Sequence, residues 1–290
     1  MTKTSYTLAK NFRKDTMLLL EKIVVMVDDY ERKGYRMTLR QLFYQLVSHD
    51  ILPNDQKKYK KLSTIIKDAR MAGLIDWDVI EDRIRIPTMP SEFENISHLV
   101  KAAVSSYRRD RWENQEYYVE VWVEKDALSG VLEPVTRKYH VHLLVNRGYS
   151  STSALHESVL RIKQQQEGKE CVILYLGDHD PSGKNMITDI RNRLAQFQCD
   201  ATVRDVALTM EQIKQYNLPP NPAKKSDPRS DKYIKRHGNL SWELDALTPE
   251  VLNQLVSLNI EEFLDIDEYQ KIINQEEEEK MELVQVTQDI

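Results

Sequence analysis

Acidic side chains stand directly after two hydrophobic segments, at the positions where strands of a parallel sheet would end. Glu124 follows the apolar segment 118–123. Asp178 and Asp180 follow a second apolar segment, 171–176, within the sequence Gly-Asp-His-Asp-Pro-Ser-Gly. Ligands of open α/β sheets bind beyond the carboxyl ends of the strands, so these acids would meet at one edge. Three carboxylates there would need a cation, and their hard oxygen atoms favour Mg²⁺ or Mn²⁺ over zinc.

A metal ion held by Glu124, Asp178 and Asp180 could neutralise phosphate oxygens and stabilise a phosphoryl-transfer transition state. The turn at 181–183 would also direct the N-terminus of the following helix toward a bound phosphate. A simpler interpretation of the two aspartates stays open, in which Asp178 forms an Asx turn and Asp180 caps the helix. The glutamate at the end of an earlier strand favours the metal site.

The elements that must position these acids begin near residue 117. Alternation of apolar and amphipathic segments predicts strands over 118–123, 141–145, 171–176 and 202–208, and helices over 126–139, 151–166 and 184–197. This order predicts a parallel sheet of about four strands with helices on its faces. A loop over 217–230 and two helices, 249–258 and 261–279, would complete the chain, with the glutamates at 276–279 on a solvated helix face.

The first third of the chain is helical in pattern. Helices are predicted over 11–33, 39–47 and 56–72, and the β-branched segment 74–85 could form a hairpin. Thr38 has the position of an N-cap. Three helices and a hairpin are typical of a winged helix, whose third helix would enter the DNA major groove. That helix carries the predicted DNA contacts Lys57, Lys58, Lys60, Lys61, Lys67 and Arg70.

The predicted fold class is therefore α/β, or α+β overall, with four regions. Residues 1–90 would form a helical winged-helix DNA-binding domain, and 91–115 a connecting helix. Residues 116–215 would form a Rossmann-like parallel-sheet domain. Residues 216–290 would form a C-terminal extension, in which a basic loop precedes acidic helices.

Composition limits the class of protein and its location. The 290 residues are 41% hydrophobic and 30% charged, which is ordinary for a globular protein with a buried core. We expect no membrane segment, because no apolar stretch approaches the ~20 residues that a span needs. Basic residues interrupt the start of the chain, so no signal peptide is expected. With only two cysteines, the expected location is the cytoplasm, or the nucleoid when DNA is bound.

The charge distribution leaves room for a nucleic-acid partner. A net charge of −5 argues weakly against one, but residues 1–115 contain 21 Lys and Arg against 16 Asp and Glu. The basic N-terminal region could therefore bind the phosphates of a nucleic acid, although the net charge of the whole chain is negative. Lys125 could contact phosphate too, and His179 could touch substrate or be a solvated loop residue. A basic cluster could line a DNA channel or be a solvated loop; its members are Lys224, Lys225, Arg229, Lys232, Lys235 and Arg236.

The acidic motifs resemble the Toprim domain of type IA and type II topoisomerases, bacterial primases and OLD-family nucleases. The resemblance lies in Glu124 after one strand, then Asp178-x-Asp180-Pro181-x-Gly183 after another. It covers about residues 117–210. It implies that Glu124 performs acid–base work and binds metal, and that the two aspartates bind Mg²⁺.

A second segment resembles one branch of this family, the A subunit of topoisomerase VI and its meiotic double-strand-break relatives. Their nucleophilic tyrosine lies on a winged helix before the Toprim domain, in a segment reading Arg-Asp/Glu-x-Phe/Tyr-Tyr. Arg40 and Tyr44 match, whereas Gln41 departs from the acid. The segment 242–247 (Trp-Glu-Leu-Asp-Ala-Leu) is similar to one that follows Toprim there. The resemblance thus extends over most of residues 36–250.

This resemblance implies a Mg²⁺-dependent DNA-cleaving transesterase, in which Tyr44 attacks the backbone of double-stranded DNA. A phenol with a pKa near ~10 attacks poorly unless its oxyanion is stabilised, and Arg40, one helical turn earlier, could do this. Cutting both strands would need a homodimer, and a separate ATPase subunit could assist. Two alternatives stay open. The protein could be a hydrolytic Toprim nuclease with a structural Tyr44, or a non-catalytic DNA-binding accessory protein.

Overall fold

A four-stranded parallel sheet lies at the centre of the chain. The computed structural model describes residues 11–77, 79–80, 90–146, 152–165, 168–223, 227 and 229–286. The strands are β1 (Tyr117–Val123), β2 (His142–Val145), β3 (Glu170–Leu176) and β4 (Ala201–Ala207). They lie in the order β2-β1-β3-β4, and all neighbouring pairs are parallel. The predicted parallel sheet of about four strands is confirmed.

Helices cover both faces of the two inner strands. In β1, Val119 and Val121 pack into the larger hydrophobic core, whereas Tyr118 and Trp122 pack into a smaller core on the opposite face. Alternate side chains of a strand point to opposite faces, so a strand buried on both sides is apolar almost throughout. Glu120 is the exception, because it is charged and completely buried in the middle of β1.

The helices between the strands follow the predicted alternation. A short 3₁₀ helix (Asp126–Leu128) leads into α5 (Ser129–Lys138), and α6 (Thr152–Gln165) precedes β3. The helix after β3, α7 (Pro181–Gln196), begins three residues earlier than predicted. Proline suits the first turn of a helix because its missing N–H needs no partner there. The turn motif is therefore part of the helix.

The three predicted N-terminal helices are present, although the first is shorter than predicted at 19 residues. They are α1 (Lys14–Arg32), α2 (Leu39–Ser48) and α3 (Gln56–Met71). The Thr38 hydroxyl accepts a hydrogen bond from the Gln41 N–H, and the Gln41 side chain caps the Thr38 N–H in return. The hairpin predicted over 74–85 is described only in part, since residues 78 and 81–89 lie outside the described residues. The described part includes one bridge, between Met37 and Ile80.

The connecting helix is shorter than predicted. The prediction of a helix over most of 91–115 is wrong, because α4 spans only Ile96–Ser106. The ten residues after it form a turn and irregular chain. Arginines in those turns pair with α11 (Ile266–Val286), whose Glu276 is completely buried. Arg111 lies 3.0 Å from Glu276, and Arg109 lies 2.6 Å from Glu279. The charges of this segment thus hold α11 in place, and Glu276 is not on a solvated face.

The C-terminal region returns to the carboxyl edge of the sheet. It comprises α8 (Met210–Gln215), the antiparallel pair β5 (Asn221–Pro222) and β6 (Leu240–Ser241), α9 (Ser230–His237), a 3₁₀ helix (Leu244–Ala246) and α10 (Pro249–Glu261). The 3₁₀ helix packs on α2, and α10 packs on α5. In the part of the chain that is described, no helix combines the length and apolar character needed to cross a bilayer.

Candidate metal centre

Three carboxylates converge just beyond the end of β3. The chain at Trp242 pairs with the loop after β3, where the His179 N–H donates to the Trp242 carbonyl at 2.9 Å. The Leu244 N–H donates to Oδ1 of Asp178 at 2.8 Å. These bonds bring Glu243 and Asp245 to Asp178, and the three residues offer carboxylate oxygens within 4.8 Å of one another.

The acid cluster, defined as Asp178, Glu243 and Asp245, fits a hard divalent cation. All its donors are carboxylate oxygens, the ligands that Mg²⁺ and Mn²⁺ prefer. Asp245 is completely buried, and among the described residues its Oδ1 has no hydrogen-bond partner. A buried polar atom without a partner is costly and calls for an explanation such as an ion. The acid cluster could therefore bind a metal ion, although two of its three residues differ from the predicted ligands.

Glu124 lies beside the acid cluster. Its Oε2 accepts a hydrogen bond from the Asp178 N–H at 3.0 Å. Its own N–H donates to the carbonyl of Leu176, the last residue of β3, at 2.9 Å. Burial raises the pKa of Glu124, while the Asp178 N–H and the Lys125 ammonium oppose that rise. A carboxyl group with a raised pKa can donate or accept a proton nearer to neutral pH than an exposed glutamate.

Asp180 has a different position. Its Oδ1 accepts a hydrogen bond from the Gly183 N–H at 2.6 Å and caps α7. The structure thus agrees with the simpler interpretation of this residue as a helix cap. Asp180 does not belong to the acid cluster, in contrast to its predicted place among the metal ligands.

The Lys125 ammonium lies among the three carboxylates. Its Nζ is 2.7 Å from Asp178 Oδ1 and 2.6 Å from Asp245 Oδ2, and it also bonds Glu243. Burial opposes its charge, but the surrounding carboxylates outweigh this and raise the pKa of Lys125 well above its ordinary value. The predicted phosphate contact is therefore a lysine that neutralises the acid cluster.

A second cation reaches the acid cluster from α2. Nη2 of Arg40 lies 2.6 Å from Oε2 of Glu243, and its Nε lies 3.6 Å from Oδ2 of Asp245. Burial alone would raise the pKa of Glu243, but Lys125 and Arg40 outweigh it and lower that pKa to about 2. Burial raises the pKa of Asp178, although the charge of Lys125 opposes the shift.

Tyr44 is close to the acid cluster but shielded. Only 6% of its surface is exposed, and the guanidinium of Arg40 lies 5.7 Å from the ring centre. The hydroxyl accepts a hydrogen bond from Nδ2 of Asn221 at 3.4 Å. Burial, followed by the charge of Glu243, raises the pKa of Tyr44. In this conformation the phenol is neither accessible nor activated, and Arg40 is bound to carboxylates.

The predicted DNA contacts on α3 divide into two groups. Five lysines are exposed along the helix, namely Lys57, Lys58, Lys60, Lys61 and Lys67. Arg70 is half-buried, and its guanidinium donates to the carbonyl of Ile80 at 2.9 Å and lies 4.7 Å from the ring centre of Trp77. Arg70 therefore holds the chain after α3, while the lysines present a basic face.

Glycine at position 183 allows α7 to approach the acid cluster. A Cβ atom there would lie 2.3 Å from the backbone oxygen of Asp178, well inside contact distance. We expect Gly183→Ala to cost about 1–3 kcal/mol of stability and to weaken Mn²⁺ binding, since Asp178 must move. Urea unfolding and calorimetric titration measure the two effects. Ser182→Ala, in the same turn, should change stability by less than about 0.5 kcal/mol. Normal Mn²⁺ binding by the Gly183→Ala variant would contradict this close packing.

Glu243 and Asp245 were not among the predicted ligands. The only sequence signal for them is their place in the segment 242–247, where similarity to a known family gave no role to either acid. Both residues lie more than sixty positions after Asp178, and the chain must return to the end of β3 to bring them there. No local sequence pattern predicts this return.

Comparisons with known proteins add no relative to this picture. A scan against models of protein families matched none of them, and a search of curated proteins found no match. The likeness to Toprim proteins therefore rests on the motif residues of this chain alone.

Proposed function

We propose that this protein is a Mg²⁺- or Mn²⁺-dependent enzyme that hydrolyses the phosphodiester backbone of DNA, with a Toprim-like domain as its catalytic part. The observation that carries the proposal is the acid cluster at the carboxyl edge of a parallel sheet. Within the described part of the chain, the buried Oδ1 of Asp245 has no hydrogen-bond partner there. The order of Glu124 and the aspartate motif along the chain supports it. A winged-helix domain formed by the N-terminal helices would bind the DNA through the lysines of α3.

Each residue of the site has a role in this proposal. Asp178, Glu243 and Asp245 would hold the metal ion, which supplies positive charge for the phosphate and lowers the pKa of a water molecule. Glu124, with its raised pKa and its fixed bond to the Asp178 N–H, would exchange a proton with the attacking or leaving oxygen. Lys125 and Arg40 would balance part of the negative charge of the three carboxylates.

Hydrolysis is favoured over tyrosine attack because Tyr44 is buried and its pKa is raised. The transesterase is the second candidate, since Arg40 lies over the Tyr44 ring and also binds Glu243. That reaction would require the Tyr44 hydroxyl to become exposed. The homodimer and the separate ATPase subunit are predictions that belong to this second candidate.

A cleavage assay with Tyr44→Phe separates the two reactions. End-labelled supercoiled and linear DNA would be incubated with protein and Mg²⁺ or Mn²⁺ and stopped with denaturant. We expect Tyr44→Phe to cleave within about threefold of the original protein, with no labelled DNA attached to either. Tyr59→Phe, a half-buried tyrosine on α3, is the matched control. A protein–DNA adduct that disappears in Tyr44→Phe would establish the transesterase instead.

The same assay also tests the non-catalytic alternative. DNA binding without cleavage, together with no Mn²⁺ uptake by the acid cluster, would mean that Lys125 and Arg40 balance its charge without a metal ion. The protein would then be a DNA-binding accessory module.

A further inference from the structure

A second site lies beside the acid cluster, in a pocket between α7 and α9. The pocket has a volume of about 100 Å³, which is room for several water molecules or one phosphate group. Its walls include Lys184 near the start of α7 and Arg229, Lys232 and Arg236 around α9. None of the described lining residues is acidic. The pocket is therefore shaped and charged for an anion.

Two of these cations are available for a ligand. Lys184 is paired with Asp205 at 2.6 Å, and Arg229 lies 3.4 Å from Asp227. Lys232 and Arg236 are exposed, and within the described ranges neither has an ion pair with a carboxylate. They lie one helical turn apart on α9, so both side chains can reach one anion.

The pocket is linked by hydrogen bonds to the residue that follows Asp178. Tyr233, in its wall, places its hydroxyl 2.7 Å from Nδ1 of His179 and 2.8 Å from the His179 carbonyl oxygen. His179 is completely buried and directly follows Asp178, and burial lowers its pKa to about 4. His179 is thus a neutral structural residue that ties α9 to the metal site, and not a substrate contact or a solvated loop residue.

We infer that this pocket binds a phosphate group of the DNA strand whose neighbouring phosphodiester lies at the acid cluster. The inference rests on the proposed function and adds a second anchor for the substrate. The phosphate is either an internal one of the backbone or the terminal phosphate of a strand. Lys232 and Arg236 bind its oxygens, and the positive N-terminal end of α7 adds to the attraction.

The test measures DNA binding without cleavage. Lys232→Ala/Arg236→Ala is compared with the original protein by fluorescence anisotropy in EDTA, using a labelled oligonucleotide with and without a 5′-phosphate over a range of salt. We expect affinity to fall about tenfold and the slope of log K against log salt to decrease by about 1. The charge-matched control is Lys22→Ala/Lys101→Ala, which removes two exposed lysines on α1 and α4.

Each outcome has one meaning. Equal weakening for both oligonucleotides identifies an internal phosphate, and weakening for the phosphorylated one alone identifies a strand end. Binding equal to the control, or no DNA binding by the original protein, overturns the inference. Hydrolysis of bis(4-nitrophenyl) phosphate with Mn²⁺ tests the proposed function separately, because this diester has no neighbouring phosphate. The double variant should hydrolyse it normally, and a loss there would mean that the site itself is damaged.

Discussion

Asp178→Asn is expected to lower metal-dependent DNA cleavage at least about a hundredfold. The carboxylate of Asp178 bonds the Lys125 ammonium at 2.7 Å and accepts the Leu244 N–H at 2.8 Å. Asparagine keeps an oxygen for the Leu244 N–H but removes the charge that a metal ion needs. The fold should therefore survive while Mn²⁺ binding is lost. Initial cleavage rates and calorimetric titration with Mn²⁺ measure the two effects.

Variants of the neighbouring acids show which set of carboxylates holds the metal. Glu243→Gln and Asp245→Asn should behave like Asp178→Asn, because all three belong to the acid cluster. Asp180→Asn should retain activity, since asparagine can also cap α7. Asp189→Asn, which removes a carboxylate farther along α7, is the control. Loss of Mn²⁺ binding in Asp180→Asn, with normal binding in Glu243→Gln, would favour the ligand set predicted from sequence.

Arg161→Ala is expected to destabilise the fold by about 3–5 kcal/mol. Nε and Nη2 of Arg161 bond the two oxygens of Glu120 at 2.8 and 2.9 Å. Glu120 is completely buried, and it also accepts hydrogen bonds from Tyr118 at 2.6 Å and Trp122 at 2.7 Å. Without the guanidinium, an uncompensated charge stays in the middle of β1. Urea unfolding at neutral pH measures the loss.

The pH dependence of this loss identifies its cause. Burial raises the pKa of Glu120, but Arg161 and Tyr118 outweigh it and hold that pKa below its ordinary value. In the original protein, the stability from Glu120 is present above the unfolded pKa of about 4.3 and is lost as pH falls. In Arg161→Ala, burial raises the pKa of Glu120 because the guanidinium no longer opposes it. Glu120 then takes up a proton at mildly acidic pH, which removes the buried charge. The difference in unfolding free energy between the original protein and Arg161→Ala should therefore decrease as pH falls from about 7 to about 5.

Two further variants complete this test. Glu120→Gln/Arg161→Ala should be more stable than Arg161→Ala at neutral pH, because no buried charge is left behind. Arg204→Ala, which removes an exposed pair with Glu262, should cost less than about 1 kcal/mol. A loss of the same small size in Arg161→Ala would mean that water reaches Glu120.

Local patterns are sufficient to predict the sheet and most helices. Strands β1 and β3 are apolar apart from Glu120 and Glu170, and both prove to be buried on two faces. Thr38 predicts the start of α2 correctly, because an N-cap acts on the N–H groups of its own helix. The predicted start of α7 is too late, since proline is typical of turns but also suits a first helical turn.

The connecting helix and the buried glutamates show where local patterns fail. Helical periodicity continues beyond Ser106, but the arginines that follow leave the helix to bind α11. Glu276 belongs to a run of four glutamates that has the composition of a solvated surface, yet it is completely buried. Arg111 pairs with Glu276 from a distant part of the chain, in addition to Lys280 one helical turn later, and that distant partner is not visible in the local composition.

The same distinction holds for the metal centre, where some features follow from the sequence and others only from the tertiary structure. The sequence by itself determined that Asp178 and Glu124 stand at the carboxyl edge of the sheet, because strand ends follow from local periodicity. Tertiary structure alone decided that Glu243 and Asp245 join Asp178 and that Lys125 and Arg40 balance the charge. Carboxylates and cations attract one another strongly only at short distances. Packing of the folded chain creates those short distances between residues that are far apart in the sequence.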